Sequence, residues 1–149
     1  LESGQIRSFG LSNFFPHQVD AIARFTPVQF NQVQFSITHT DVMYDGTLDQ
    51  ALAQSIVPMA WKPLGGLFDA EDERAARIRE VADPLCKKYG LSLAGLGIAF
   101  IKKHPAGVLP VVGTTEPERL ADLLKASKVD LELQDWFVLL EASQGRRVP

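Results

Sequence analysis

The chain has 149 residues, of which 46% are hydrophobic and 22% are charged, and its 15 Lys and Arg residues against 18 Asp and Glu residues give a formal charge of -3. This composition is typical of an ordinary soluble globular protein, so it excludes a disordered chain and a collagen-like fibre, and the scattered basic residues argue against a nucleic-acid partner. No apolar run approaches the roughly 18 to 20 residues of a membrane-spanning helix, so no membrane partner is expected.

Four apolar segments of strand length recur along the chain, and each is followed by a stretch with helical character. They are residues 6–11, 28–35, 56–61 and 108–112. In the second segment Gln32 and Gln34 alternate with apolar residues, which places them on one face of a strand. The fourth segment is continuously apolar, as in a strand that is covered on both faces. Strands that alternate with helices predict an α/β fold with a parallel sheet.

Local signals mark where the helices between these strands begin. Thr47 is a candidate N-cap for a helix over 48–54, and Ser92 for a helix over 93–103. Residues Thr115 to Glu118 have the spacing of a capping box, with Pro117 in the first turn. The chain contains no repeat and no linker that is long enough to divide it, so we expect one domain or part of one.

Polar residues cluster where the predicted strands end. Because the carboxyl ends of parallel strands meet at one edge of a sheet, ligand-binding groups are expected there. The candidates are Ser12 and Asn13 after the first strand, Gln32 and Gln34 in the second, residues 61–66 after the third, and residues 113–115 with Arg119 after the fourth.

These motifs resemble the aldo-keto reductase family, and the resemblance covers essentially the whole chain. They are Gly4 to Phe14, Asn31 to Gln34, Ala60 to Gly65, the pair His104-Pro105, and Val111 to Thr115 followed by Pro117 to Leu120. Their order implies the carboxyl-terminal half, strands five to eight, of a (β/α)8 TIM barrel. Residues 1–149 would then form a partial aldo-keto reductase domain, part of an NADP-dependent oxidoreductase.

The resemblance implies a role for four residues at the nicotinamide end of a cofactor. Ser12, Asn13 and Gln32 match the family positions that hydrogen-bond the carboxamide, and hydroxyl and amide groups supply the neutral donors and acceptors that such a group needs. Trp61 matches the position of an aromatic ring that stacks on the nicotinamide. On the residues alone, a strand-end turn at Ser12 and Asn13 and a buried core Trp61 remain open.

The resemblance also implies contacts to the cofactor phosphates. Lys62, Leu64 and Gly65 match the turn beside the pyrophosphate, although Lys62 stands where small hydroxyl residues are frequent. The adenosine 2'-phosphate would meet Gly113, Thr114, Thr115 and Arg119. The match at Arg119 implies NADP(H) as the cofactor. Gly113 stands where many relatives have Lys, and Leu123 where an adenine-contacting Asn is often found, so a strict preference for NADP(H) is not implied and NAD is possible. Without the resemblance, an Arg in the first turn of a helix, such as Arg119, is usually just a solvated or salt-bridged charge.

The catalytic tetrad of the family, which consists of Asp, Tyr, Lys and His, comes from its first four strands, and no segment here matches them. Tyr44 and Tyr89 lie outside that motif, so no catalytic residue is assigned. The resemblance implies an NAD(P)H-dependent oxidoreductase that reduces a small aldehyde or ketone to an alcohol, with this chain inactive by itself. The alternative is a non-catalytic cofactor-binding protein, regulatory or similar to channel-associated β-subunits.

The histidines and the single cysteine carry weaker signals. The three histidines His17, His39 and His104 lack the spacing of a metal site, and no metal is assigned. His39 and Tyr44 follow the second strand, where they would border a substrate in one hypothesis. Cys86 cannot form an internal disulfide, and residues 1–5 lack a signal-peptide pattern, which together predict a cytoplasmic protein.

The length and the first residue suggest a piece of a longer protein. The chain begins with Leu1, and its length falls short of the roughly 250 residues that a closed eight-stranded barrel needs. A half-barrel would leave sheet edges and an apolar face open to solvent. Self-association is therefore expected.

Overall fold

Strands and helices alternate along the computed structural model, which describes residues 3–148. The elements are β1 (Gly10–Ser12), α1 (Pro16–Ala23), β2 (Phe30–Gln34), α2 (Thr47–Gln54), β3 (Val57–Trp61), α3 (Glu73–Tyr89), α4 (Leu93–Lys103), β4 (Leu109–Pro110), α5 (Pro117–Ala126) and α6 (Leu133–Gln144). A single 3-10 turn, Asp41–Met43, lies between β2 and α2. Leu1, Glu2 and Pro149, which belong to the predicted domain, lie outside the described residues.

The four strands form one sheet in the order β1-β2-β3-β4, and every neighbouring pair is parallel. The predicted parallel α/β sheet is therefore confirmed. The register places Ser12 opposite Gln32, Gln32 opposite Met59, and Met59 opposite Leu109. Residues that are directly opposite share a face, so this row runs across one side of the sheet at the height where β1 ends.

The helices cover one face of the sheet. Val33 and Ala60 point to that face, are at most 4% exposed and belong to the main core. Their neighbours along each strand, Gln32 and Gln34 on β2 and Met59 and Trp61 on β3, are half-buried. The predicted placement of Gln32 and Gln34 opposite Val33 is confirmed by this alternation.

The fourth strand differs from its prediction. Only Leu109 and Pro110 pair as β4, and Leu109 is 43% exposed. The expectation of a strand that is covered on both faces is wrong, because β4 is an edge of the sheet and Leu109 lies on the face that the helices leave open. A continuous apolar run does not distinguish a strand that is covered on both faces from an edge strand that leaves one face open.

Helix α4 forms the centre of the apolar core and is buried on nearly all sides. Its glycines allow close packing: a Cβ at Gly95 would lie 3.1 Å from the Cβ of Ala126. The ring of Phe100 stacks on Trp136 of α6 at a centroid distance of 5.2 Å, and the Trp136 indole N–H donates to the Phe100 carbonyl at 3.0 Å. Helix α6 is thereby held against α4.

Polar contacts between α3 and α6 complete this layer. The ammonium group of Lys88 contacts the carboxylate of Asp135 at 2.7 Å, and the Tyr89 hydroxyl donates to the same carboxylate. The hydrogen bond from Lys88, and after it the one from Tyr89, hold the pKa of Asp135 below its ordinary value. Ser143, near the end of α6, is buried and donates from Oγ to the Ile37 carbonyl at 2.5 Å, which ties α6 to the loop after β2.

Two of the three predicted helix caps are wrong. Ser92 caps α4 as predicted, because its Oγ accepts from the Gly95 N–H at 2.9 Å. The N-cap of α2 is Gly46, with φ of 87°, so Thr47 is the first helical residue and not the cap. Helix α5 is preceded by Glu116, whose side chain makes no capping hydrogen bond, so the capping box from Thr115 does not form.

We expect the 149-residue chain to self-associate or to lose compact packing, because the open face of the sheet and the β4 edge present apolar groups to water. Leu109→Lys should shift sedimentation profiles toward the monomer by charging that face. Leu52→Lys is the matched control, since Leu52 is 58% exposed but lies on α2. A monodisperse wild-type monomer with a sharp cooperative melt would contradict the expectation.

Candidate functional site

The ends of β1, β2 and β3 bring four of the predicted residues together. Ser12 and Gln32 are opposite in register, and the Asn13 N–H donates to the Gln32 carbonyl at 2.8 Å. The Trp61 indole N–H donates to the Asn13 side-chain oxygen at 2.8 Å. Asn13 has φ of 58°, a conformation that asparagine adopts more readily than most residues. A strand-end turn therefore does exist here, and it carries the side chain of Asn13 to Trp61.

A tight turn follows β3 and contains the next three predicted residues. Lys62 has φ of 47° and Gly65 has φ of 51°, and the Gly65 N–H donates to the Lys62 carbonyl at 2.8 Å. Leu64 packs toward α4, where a Cβ on Gly97 would lie 3.4 Å from its Cδ2. The close approach that glycine at 97 allows thus fixes how deeply this turn sits against α4.

Two hydroxyl groups in the loop after β2 hold this turn, and sequence reasoning missed both. The Gly66 N–H donates to the Thr38 hydroxyl at 3.0 Å, and that hydroxyl lies 3.1 Å from the Ser36 hydroxyl. The guanidinium of Arg74, in the first turn of α3, donates to the Thr38 carbonyl at 2.7 Å. Ser36 and Thr38 are buried, so their pairing satisfies groups that would otherwise be costly to bury.

Gly65 sits directly on this hydroxyl pair. A Cβ at Gly65 would lie 2.1 Å from the Thr38 Oγ1 and 2.4 Å from the Ser36 Oγ. Both distances are well inside van der Waals contact, so a larger residue at this position would have to displace the two hydroxyl groups. The only sequence signal for this arrangement was the pair of hydroxyl residues two apart in the segment after β2, which does not identify a partner.

A cleft of about 1120 Å³ lies between this turn and the segment that leads from β4 into α5. Seven of the predicted residues line it: Lys62, Leu64, Gly65, Gly113, Thr114, Thr115 and Arg119. Gly113 has no atom within 4 Å of the position of its Cβ, so this stretch of the wall is open. The turn after β3 and the start of α5 therefore form the two sides of one elongated site.

A smaller cavity of about 250 Å³ adjoins the end of β1 and is lined by Asn13 and Trp61. Gln34 and His39 line both cavities, so the two are neighbours. Ser12 and Gln32 line neither of the two and lie on the open face of the sheet. Of the pair that the sequence placed near a substrate, His39 borders both cavities, whereas Tyr44 is 61% exposed and is hydrogen-bonded to Gln144.

The cleft carries two basic side chains among its described lining residues. The ammonium group of Lys62 lies 5.7 Å from the centroid of the Trp61 ring, a cation-π distance. The guanidinium of Arg119 lies 2.9 Å from the carboxylate of Glu116. The salt-bridged alternative for Arg119 therefore describes its contact in this structure, and Glu116 is an acidic neighbour that sequence reasoning treated only as part of a helix start.

Within residues 3–148 no group of three or more His, Cys, Asp or Glu side chains is placed to hold a metal ion. Over the same residues, no helix combines the length and the apolar character that a membrane crossing requires.

A family model described as the aldo/keto reductase family matches residues 1–142. The chain is 33% identical over 153 residues to the 6-dehydroglucose reductase of Novosphingobium aromaticivorans, with a match that covers 100% of this chain and 50% of the relative. It is 31% identical to the oxidoreductase YdhF of Escherichia coli, covering 99% of this chain and 51% of that protein. The chain thus spans about half the length of the curated relatives it matches.

Solved structures give the same picture of the fold. A thermostable aldo-keto reductase in complex with the inhibitor epalrestat superposes with a TM-score of 0.84 at 22% identity, over 95% of this chain and 50% of that one. An aldo/keto reductase from Klebsiella pneumoniae, solved with NADP and acetate, superposes with a TM-score of 0.79 at 22% identity, over 99% of this chain and 51% of that one. Four parallel strands with their helices thus match about half of each of these enzymes.

We expect Gly65→Ala to destabilise the chain more than Gly107→Ala. Both glycines have positive φ, 51° and 68°, so both substitutions carry the same kind of backbone strain. Only the Cβ at Gly65 would meet other atoms, because nothing lies within 4 Å at Gly107. The excess at Gly65 should be about 1 to 3 kcal/mol, read from denaturant midpoints. Equal losses would show that the loop with Thr38 yields without cost.

Proposed function

The chain belongs to the aldo/keto reductase family, and we propose that it forms the cofactor-binding half, strands five to eight, of a TIM-barrel NAD(P)H-dependent reductase. The observation that carries this proposal is the cleft in which the Lys62 to Gly65 turn faces the Gly113 to Arg119 segment. A group with a flat ring at one end and phosphates farther along would meet matching side chains at the neighbouring ends of β1 to β3 and along this cleft. NADPH is such a group.

Four residues at the end of β1 to β3 fit the nicotinamide end. Ser12 and Gln32 present a hydroxyl and an amide on the open face of the sheet, and Asn13 supplies a second amide whose oxygen is held by Trp61. An amide and a hydroxyl can pair with both the N–H and the oxygen of a carboxamide. The indole of Trp61 is fixed in angle by its hydrogen bond to Asn13, which preorganises the ring for stacking.

The phosphate groups fit the other two parts of the cleft. Lys62 brings a point charge to the turn, which suits a pyrophosphate, and Gly65, seated on the Ser36 and Thr38 hydroxyls, holds the backbone of that turn beside the cleft. Arg119, in the first turn of α5, offers a guanidinium to the adenosine 2'-phosphate, where the helix end also favours an anion. Thr114 and Thr115 line the same wall with hydroxyl groups.

When bound, NADPH would supply the hydride that reduces an aldehyde or ketone to an alcohol. The residues of this chain hold and orient the cofactor, and no tetrad residue is assigned among them. A small carbonyl compound is the substrate class that we propose, in line with the reductase names of relatives such as the 6-dehydroglucose reductases. The second candidate function is a cofactor-binding protein without turnover.

We expect no carbonyl reduction by the 149-residue chain with NADPH, because the proton donor of the family comes from strands that this sequence does not match. Mixing the chain with the segment that carries the tetrad should restore NADPH oxidation, and Trp61→Ala should reduce the restored rate. Turnover above about 1 per second by the chain alone would overturn the proposal of an inactive half. Cofactor binding without turnover in the reconstituted protein would instead favour the non-catalytic alternative.

We expect Arg119→Ala to weaken NADPH binding by roughly tenfold to more than a hundredfold while changing NADH binding little, because only NADPH carries the 2'-phosphate. Titration calorimetry with both cofactors measures the difference. Arg24→Ala is the matched control, since Arg24 is an exposed cation at the end of α1 and does not line the cleft. Equal losses for NADPH and NADH would make Arg119 structural, and no binding of either by the wild type would remove the proposed function itself.

A further inference from the structure

Among residues 3–148, three carboxylates line the cleft, and two of them already have hydrogen-bond partners at the start of a helix. The Asp72 carboxylate accepts the N–H groups of Arg74 and Ala75 as the N-cap of α3. The Asp122 carboxylate accepts from the Ser92 hydroxyl at 2.5 Å. Glu116 is different, because its side chain makes no capping hydrogen bond and lies 2.9 Å from the Nε of Arg119.

The position of Glu116 is fixed by the local backbone. It is the N-cap of α5, one residue before Pro117, and its own N–H donates to the Thr114 hydroxyl at 3.2 Å. The separation of three residues places Glu116 and Arg119 on the same side of the first helical turn. Both side chains are more than half exposed, so a ligand in the cleft can reach them and can displace one from the other.

This pairing has opposite consequences for the two forms of the cofactor. A 2'-phosphate that approaches Arg119 must share the guanidinium with the Glu116 carboxylate, which lies 2.9 Å from its Nε, or displace that carboxylate, and in both cases it lies beside a like charge. A ribose 2'-hydroxyl has no charge to repel and can donate a hydrogen bond to that carboxylate. The second cation of the cleft, Lys62, lies over the Trp61 ring, and Gly113 adds no charge, so Arg119 alone faces this competition.

We propose that Glu116 is a specificity-determining residue that competes with the adenosine 2'-phosphate for Arg119 and so lets the site accept NADH beside NADPH. The proposal rests on the proposed function, because it assigns Arg119 to the adenosine end of the cofactor. Glu116 acts at that end only and takes no part at the nicotinamide end. It sets the ratio of the two affinities through the charge that it holds next to the guanidinium.

The test compares five proteins: wild type, Glu116→Gln, Glu118→Gln, Arg119→Ala and the double variant Glu116→Gln with Arg119→Ala. Glu118→Gln removes the same charge from the same helical turn, but Glu118 does not line the cleft. Since the Glu116 side chain caps nothing, the glutamine variant should keep α5 intact, which circular dichroism checks. The probes are NADPH, NADH, adenosine 2',5'-bisphosphate and AMP, titrated by calorimetry at low and at high salt.

We expect Glu116→Gln to tighten NADPH and adenosine 2',5'-bisphosphate by about three- to tenfold, and to leave NADH and AMP unchanged or slightly weaker. The gain should shrink at high salt and should be absent from Glu118→Gln. It should also vanish when the double variant is compared with Arg119→Ala alone. An unchanged ratio of NADPH to NADH affinity, or the same gain in Glu118→Gln, would overturn the proposal while leaving the role of Arg119 intact. Failure of the wild type to bind NADPH and NADH would instead overturn the proposed function.

Discussion

The candidate site depends on the parallel register of four short strands. Because β1, β2 and β3 run in the same direction, the polar residues that end them reach one edge, with Ser12 opposite Gln32 and Gln34 opposite Trp61. A slip of one residue in any pair would send the amides to the helix-covered face. Buried residues such as Val33 and Ala60 prevent this slip, since they would then point to the open face.

A second constraint is the way the turn after β3 is seated. It is held from two sides: the Thr38 hydroxyl accepts from the Gly66 N–H and fits where Gly65 has no side chain, and α4 approaches Leu64 through Gly97. None of these contacts needs to touch a ligand. They fix the backbone path between Trp61 and the cleft. The packing of the core therefore determines where the Trp61 ring and the Lys62 ammonium group lie relative to the cleft.

The sequence was sufficient for the features that depend on local pattern. Alternation predicted the face on which Gln32 and Gln34 lie, the spacing of strands and helices predicted the parallel sheet, and Ser92 was recognised as a cap. The two wrong helix caps share one origin. Thr47 and Thr115 have the composition of caps, but Gly46 and Glu116 hold the cap positions, because the backbone path into each helix sets the cap and residue type alone does not specify that path.

In the candidate site, too, the sequence predicted some features and not others. Motif order identified the residues on both walls of the cleft, and the structure places seven of them around one space. The Ser36 and Thr38 pair could not be predicted, because their partner is a backbone N–H twenty-eight residues away from Thr38. The contact between Glu116 and Arg119 could have been predicted from the sequence, since side chains three residues apart on a helix are neighbours. That this contact lies beside the cleft, where a ligand could compete for Arg119, could be seen only in the structure.

The open face of the sheet links the stability of the chain to its chemistry. Ser12, Gln32 and Trp61 lie on this face, whereas Arg119 lies on α5 at the far side of the cleft. A partner surface that covered this face would remove water from around Ser12, Gln32 and Trp61 and strengthen polar contacts there. In this chain the Arg119 side chain is 70% accessible and lies on α5 rather than on the sheet. Under the proposed function, covering the face would therefore change how firmly the nicotinamide ring is held, while the choice between phosphate and hydroxyl would be made where solvent and salt screen the charges.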